Sequence, residues 1–133
     1  LADIEDVDAF IFDAFSNPSA EIIHKDFDRF VDIIRAAHPE TPLIFMQTER
    51  RESRNFDTWR EDFEARKQAA AEEEIRERMK TDKHIYFIPS DDFLGDDHIG
   101  TSDGSHPTDL GFTRMLDSIS PKLKKIFRKY GIR

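Results

Sequence analysis

The chain has 133 residues, 38% of them hydrophobic with 12 Phe, and 36% charged, for a net charge of -8 at pH 7. That length suits one domain with a real core, and the negative balance is the wrong sign for a protein held by its overall field on phosphate backbones or anionic lipid. With no Cys, disulfides, thiolate nucleophiles and Cys-based zinc sites are excluded together.

Along the chain, short apolar runs alternate with stripes of helical period. Ala9-Phe10-Ile11-Phe12, bounded by Asp8 and Asp13, reads as a strand buried on both faces. From Ser19, Ile23, Phe27, Phe30, Val31 and Ile34 form the stripe of a helix packed on a sheet, ended by Pro39 and Pro42. Leu43-Ile44-Phe45-Met46 is the second strand. The polar, Arg-rich stretch from Thr48 to Trp59 reads as a loop. A strongly charged helix follows from Glu61 to Lys80, with Phe63, Ala70, Ile75 and Met79 as its narrow core-facing stripe.

Ile85-Tyr86-Phe87-Ile88 is the third strand, and Ser90 to Pro107 is a long acidic loop. Asp91, Asp92, Asp96, Asp97 and His98 lack the alternating ligand spacing of a calcium loop and read as a solvated surface. The last helix starts near Asp109 and carries Phe112, Met115, Leu116, Ile119, Leu123, Ile126, Phe127 and Tyr130 on one side; Pro121 fits either a kink or the first residue of a second segment capped by Ser120, and the unbroken stripe favours the kink. No apolar run approaches the ~20 residues of a membrane-spanning helix. The alternation implies a parallel sheet of about three strands flanked by helices in an α/β domain, reached by right-handed crossovers. Three strands are few for a sheet of this kind, so further strands are expected to pair with it.

Ligands of open parallel sheets bind beyond the carboxyl ends of the strands. The loops after the first and third strands carry Asn17 and the pair Asp103 and His106. The three-residue spacing lets the Asp103 carboxylate accept a hydrogen bond from His106 Nδ1, which leaves Nε2 basic toward a nucleophile's proton. The same residues also fit a surface Asp-Gly turn leading into a helix. The Asn17 amide is able to donate to a developing oxyanion, and Asn17-Pro18 equally fits a helix cap followed by its first residue.

Two blocks taken together resemble the SGNH (GDSL-type) hydrolases: Asp13-Ala14-Phe15-Ser16-Asn17 after the first strand, and Asp103-Gly104-Ser105-His106-Pro107-Thr108-Asp109-Leu110-Gly111 before the last helix. That resemblance implies a flavodoxin-like three-layer α/β/α fold and an ester hydrolase with His106 as general base, Asp103 as its orienting acid and Asn17 as an oxyanion donor. Thr48-Glu49-Arg50 resembles, more loosely, the substrate-side loop of carbohydrate-esterase-like members, making Glu49 and Arg50 substrate-binding candidates and an acetylated sugar a candidate acyl ester. No metal or organic cofactor is implied. The family's Gly-Asp-Ser block, which carries the nucleophile, matches none of the eight serines. Residues 1–133 are therefore expected to be the later portion of a single SGNH domain, without its first strands and inactive alone. The alternative is a non-catalytic α/β module that pairs through its sheet edge or exposed helix with another chain, whether the N-terminal part of the same domain or a second copy.

Overall fold

The computed structural model describes all 133 residues, Leu1–Arg133. Its elements are β1 (Phe10–Phe12), α1 (Ala20–Ala37), β2 (Leu43–Met46), a 3-10 turn (Glu52–Phe56), α2 (Thr58–Met79), β3 (Ile85–Ile88) and α3 (Asp109–Tyr130). The strands form one parallel sheet in the order β1-β2-β3, which is the expected α/β class. The chain divides into two compact units, Leu1–Thr48 with Phe63–Pro89, and Glu49–Asp62 with Ser90–Arg133. No helix is long and apolar enough to cross a membrane.

In the first unit the register aligns Phe10 with Leu43 and Ile85, and Phe12 with Phe45 and Phe87. These side chains share one sheet face because strand side chains alternate. They pack in one core with Ile23, Phe27, Val31 and Ile34 of α1 and with Ala70, Ala71 and Ile75 of α2. Phe12 stacks on Phe45 at 4.8 Å between ring centres, and Phe27 meets Phe45 edge-on at 5.1 Å. The two helices lie side by side, clipped by His24 to Glu74 at 2.6 Å and by Arg78 to Asp28 and Asp32. Arg35 at the end of α1 reaches Asp82 beyond α2 at 2.5 Å and holds that carboxyl below its usual range, against the opposing effect of burial. Successive right-handed crossovers that advance in one direction place both helices on the same face.

This arrangement corrects the doubly buried reading of the first strand. Ile11 points away from the face that α1 and α2 cover and is 44% exposed. The stripe of α2 also differs from expectation. Met79, in its last turn, is exposed, whereas Glu64 and Lys67 are buried. Lys67 Nζ lies 2.7 Å from Glu64 and donates to the Ser16 carbonyl at 3.0 Å. A low-dielectric interior accepts such charges only when they are paired and hydrogen-bonded.

In the second unit, part of the expected loop is ordered as the 3-10 turn, and α2 starts at Thr58 rather than Glu61. Asp57 Oδ1 accepts the Arg60 N–H at 3.0 Å, while the buried Arg54 guanidinium grips Glu61 through two bonds of 2.7 and 2.9 Å. Thr108 caps α3 by accepting the Gly111 N–H, and Gly131 ends it in the left-handed conformation. The helix continues through Pro121, but its buried positions are Gly111, Ile119 and Ile126. Phe112 and Leu116, expected in the core, are exposed. In the first turn of α3 it is Gly111 that is buried, where it meets the Gly100 carbonyl.

Substituting Lys67 by Ala leaves a buried carboxylate beside a lost cation and frees the Ser16 carbonyl from its anchor. We expect a loss of about 3–5 kcal/mol in urea unfolding, with Lys67→Arg retaining more stability than Lys67→Ala.

Candidate active site

The turn from Thr101 to Pro107 is closed by an antiparallel bridge between those two residues and by the Ser102 N–H donating to the His106 carbonyl at 2.9 Å. Within it, Asp103 Oδ1 accepts the backbone N–H groups of Ser105 (2.9 Å) and His106 (2.8 Å). Its other oxygen, Oδ2, lies 2.7 Å from His106 Nδ1. The His106 N–H, the His106 ring and the Ser105 N–H together hold the Asp103 carboxyl far below the usual carboxylate range. An ionised carboxylate only accepts, so Nδ1 carries the proton it shares with Oδ2, and in the neutral ring Nε2 is the lone-pair nitrogen. The histidine side chain is 81% exposed. The turn thus fixes the orientation of the His106 ring against the Asp103 carboxylate.

Gly104 makes this turn possible. Its φ is +82°, a conformation that side chains rarely adopt, and a Cβ there would meet the Ser53 backbone nitrogen at 3.0 Å. The Ser53 N–H donates to the Gly104 carbonyl at 2.8 Å, so the 3-10 turn lies directly against the turn that carries Asp103 and His106. Thr101 links the same two segments, since its hydroxyl donates to the Glu52 carboxylate and accepts the Gly104 N–H at 3.2 Å.

The long loop leading to this turn is tied to α3, not simply solvated. Arg114 donates to the Leu94 carbonyl at 2.6 Å and to both Asp97 oxygens at 2.7 and 2.6 Å, while Asp92 takes Ser118 Oγ at 2.6 Å and Lys122 at 3.2 Å. Gly111 meets the loop backbone so closely that an added Cβ would lie 2.1 Å from the Gly100 carbonyl oxygen. This close approach explains the glycine at 111 in the motif.

The other candidates are placed as follows. Asn17, in the first unit, is exposed, and Ser19 rather than Asn17 caps α1, accepting the Ile22 N–H at 3.4 Å. The competing reading of Asn17 as the cap is therefore corrected: Pro18 stands before the helix, not at its first position. The loop that carries Asn17 is anchored by Phe15, buried against Phe27 and Phe45, and by Lys67 on Ser16. Glu49 is buried, with Arg51 Nε at 3.4 Å, whereas Arg50 lines a cavity of about 330 Å³ with Arg51, Glu52, Asn55, Ser90 and His98 among others. A second cavity of about 780 Å³, bordered by Glu52, Asn55, Phe56, His98, Ser102 and Asp103, shares a wall with it. No group of three or more His, Asp or Glu side chains converges to hold a metal ion.

The GDSL-like lipase/acylhydrolase family model matches residues 1–124, and the chain belongs to that family. Among solved structures, a Bacteroides ovatus protein assigned as a GDSL-like lipase superposes with a TM-score of 0.90 at 45% identity, over 96% of this chain and 38% of that one. A salicylyl-acyltransferase from a tetracycline biosynthetic pathway shares the fold at a TM-score of 0.74 and 13% identity, over 94% of this chain and 39% of that one. An acetyl esterase crystallised with acetate does so at a TM-score of 0.60 and 16% identity, over 84% of this chain and 52% of that one. The chain thus spans about half or less of each of these structures. No curated protein matches it.

Gly111→Ala forces the Gly100 carbonyl away from α3 and is expected to cost more than ~2 kcal/mol in thermal or denaturant unfolding. The Asp97 carboxyl is lowered to about 2, first by its bonds to Arg114. A depressed carboxyl stabilises above its ordinary titration range, and that contribution is lost as the pH falls toward the folded value. In an acid titration followed by backbone NMR, loop resonances near Asp97 should hold steady to below pH ~4 and shift only as the pH approaches about 2. Arg114→Met should move that change upward.

Proposed function

We propose that these residues supply the basic half of a serine acylhydrolase site. The observation that carries this reading is the Asp103–His106 pair at 2.7 Å, with Nε2 making no hydrogen bond within the chain. In the mechanism, a serine hydroxyl gives its proton to Nε2 as its oxygen attacks the ester carbonyl. The imidazolium, stabilised by Asp103, returns that proton to the leaving alcohol, and water repeats the sequence on the acyl-enzyme. Asn17 and backbone N–H groups hold the oxyanion. Glu49 and Arg50 serve the substrate side, Glu49 through its hold on Arg51.

We further propose that the nucleophile comes from chain outside residues 1–133. Several of the serines here are occupied: Ser19 caps α1, Ser53 and Ser105 face one another at 3.4 Å, Ser102 Oγ donates to the His106 carbonyl at 3.3 Å, and Ser118 holds Asp92. The open outer edge of β1 and the exposed Ile11 beside it support pairing with a further strand of the same protein.

For the alcohol side we propose a polyol such as an acetylated sugar. Phe56, 93% exposed at the rim of the larger cavity beside Asn55 and Glu52, supports this, because a sugar needs an apolar face and polar edges together.

The 133-residue chain alone should hydrolyse a small aryl acetate no faster than buffer, whereas the protein extended to include a Gly-Asp-Ser strand end should turn it over. In that longer protein His106→Ala should lower kcat by ~100- to 10,000-fold and Asn17→Ala by ~100- to 1,000-fold. Turnover by the short chain that vanishes in His106→Ala would place the nucleophile among its own serines.

A further inference from the structure

The acid–base pair sits on an exposed turn, where a hydrogen bond between two side chains has little to hold it against water. Asp103 and His106 are 53% and 81% exposed at the side chain. What orients the Asp103 carboxylate is the direction of two backbone N–H groups, those of Ser105 and His106. That direction depends on the peptide planes on either side of Gly104, the residue with most conformational freedom in the turn.

Both faces of Gly104 are held from one place. Its carbonyl accepts the Ser53 N–H at 2.8 Å, and its N–H donates to the Thr101 hydroxyl at 3.2 Å. The Thr101 hydroxyl in turn donates its proton to Glu52 Oε2. A hydroxyl that donates along one direction presents its lone pairs along others, so the carboxylate determines where Thr101 accepts. Glu52 is 15% exposed at the side chain, and its buried Oε1 makes no hydrogen bond, its one polar neighbour being His98 Nδ1 at 3.4 Å. Burying a carboxylate whose one hydrogen bond within this group is to Thr101, with His98 standing off at 3.4 Å, is costly, and a neutral side chain would fill the position without that cost.

We propose that Glu52 is a positioning residue for the Asp103–His106 pair, acting through the Thr101 hydroxyl and the Gly104 N–H. The role rests on the reading of His106 as the general base. Its mechanical part, the orientation of Asp103, does not. The charge on Glu52 polarises the Thr101 hydroxyl, which fixes the Asp103–Gly104 peptide and keeps the Ser105 and His106 N–H groups converging on Oδ1. Oδ2 is thereby left free for the imidazole.

The test uses the 133-residue chain and then the longer protein. Thr101→Val keeps the shape and removes the hydroxyl, Thr101→Ser keeps the hydroxyl, and Glu52→Gln keeps the size and removes the charge. By carboxyl-detected NMR, the depressed Asp103 titration should move up toward the ordinary ~3.9 in Thr101→Val. It should move part of the way in Glu52→Gln and stay in place in Thr101→Ser. Gly104 amide exchange should speed up by at least about tenfold in Thr101→Val relative to Thr101→Ser. In the longer protein, kcat for an aryl acetate should fall about tenfold in Thr101→Val with KM unchanged.

If Asp103 titration and Gly104 exchange match the parent in folded Thr101→Val and Glu52→Gln, the proposal is wrong. Should Thr101→Val not fold, Glu52→Gln against the parent decides by the same two readouts. A rise in KM alone in Glu52→Gln, with Asp103 unmoved, would also overturn it and make Glu52 a substrate contact instead. Absence of turnover in the unsubstituted longer protein would sink the hydrolase reading while leaving the NMR result to stand or fall by itself.

Discussion

Three hydrogen bonds converge on the Asp103 carboxylate from within a single turn, and the chemistry proposed for this chain depends on their geometry. Two come from backbone N–H groups and use up Oδ1, so the third oxygen–nitrogen contact has one direction left. A free aspartate–histidine pair at a surface samples many arrangements and spends most of its time with water. Here the backbone chooses for it, and the rotamer freedom that an exposed pair would have to give up is removed before any substrate arrives.

The rest of the second unit is arranged to keep that turn still. The loop before it has almost no regular structure, yet it is pinned to α3 by Arg114, by Asp92 with Ser118 and Lys122, and by the contact of Gly111 with Gly100. The 3-10 turn presses on Gly104 from the other side and is itself clamped by Arg54 on Glu61. In the first unit, buried aromatic rings and the Lys67–Glu64 pair do the equivalent work for the loop carrying Asn17. Of the candidate side chains, Asp103, His106, Asn17 and Arg50 are exposed and Glu49 is buried, and the backbone that carries Asp103, His106 and Asn17 is anchored a residue or two away. This division is physically economical: reactivity requires access to the reacting groups, while precision requires burial of what supports them.

Much of this was legible in the residues themselves, for a local reason. The helical stripe from Ile23 to Ile34 and the apolar runs at residues 43–46 and 85–88 reflect repeat distances set by the backbone, so they can be read without knowing what they pack against. The relation of Asp103 to His106 is equally local, because three residues around a glycine bring the two side chains together whatever lies beyond. The block from Asp103 to Gly111 was therefore the most informative stretch of the chain, and the match to the GDSL-like lipase/acylhydrolase family over residues 1–124 agrees with it.

The sequence by itself determined the alternation of strands and helices, the parallel sheet and the contact of Asp103 with His106, since each follows from spacing along one segment. Only the tertiary structure decided that Ile11 faces outward, that Lys67 and Glu64 are buried together, and that Phe112 and Leu116 are exposed. It alone brought Glu52 to Thr101 and Ser53 to Gly104 across some fifty residues of chain. Those outcomes depend on which surfaces meet, and a polar stretch such as residues 48–59 carries no periodicity that announces its partner. Hydrogen bonds between distant segments are chosen by the packing that delivers them, which no single stretch of residues encodes.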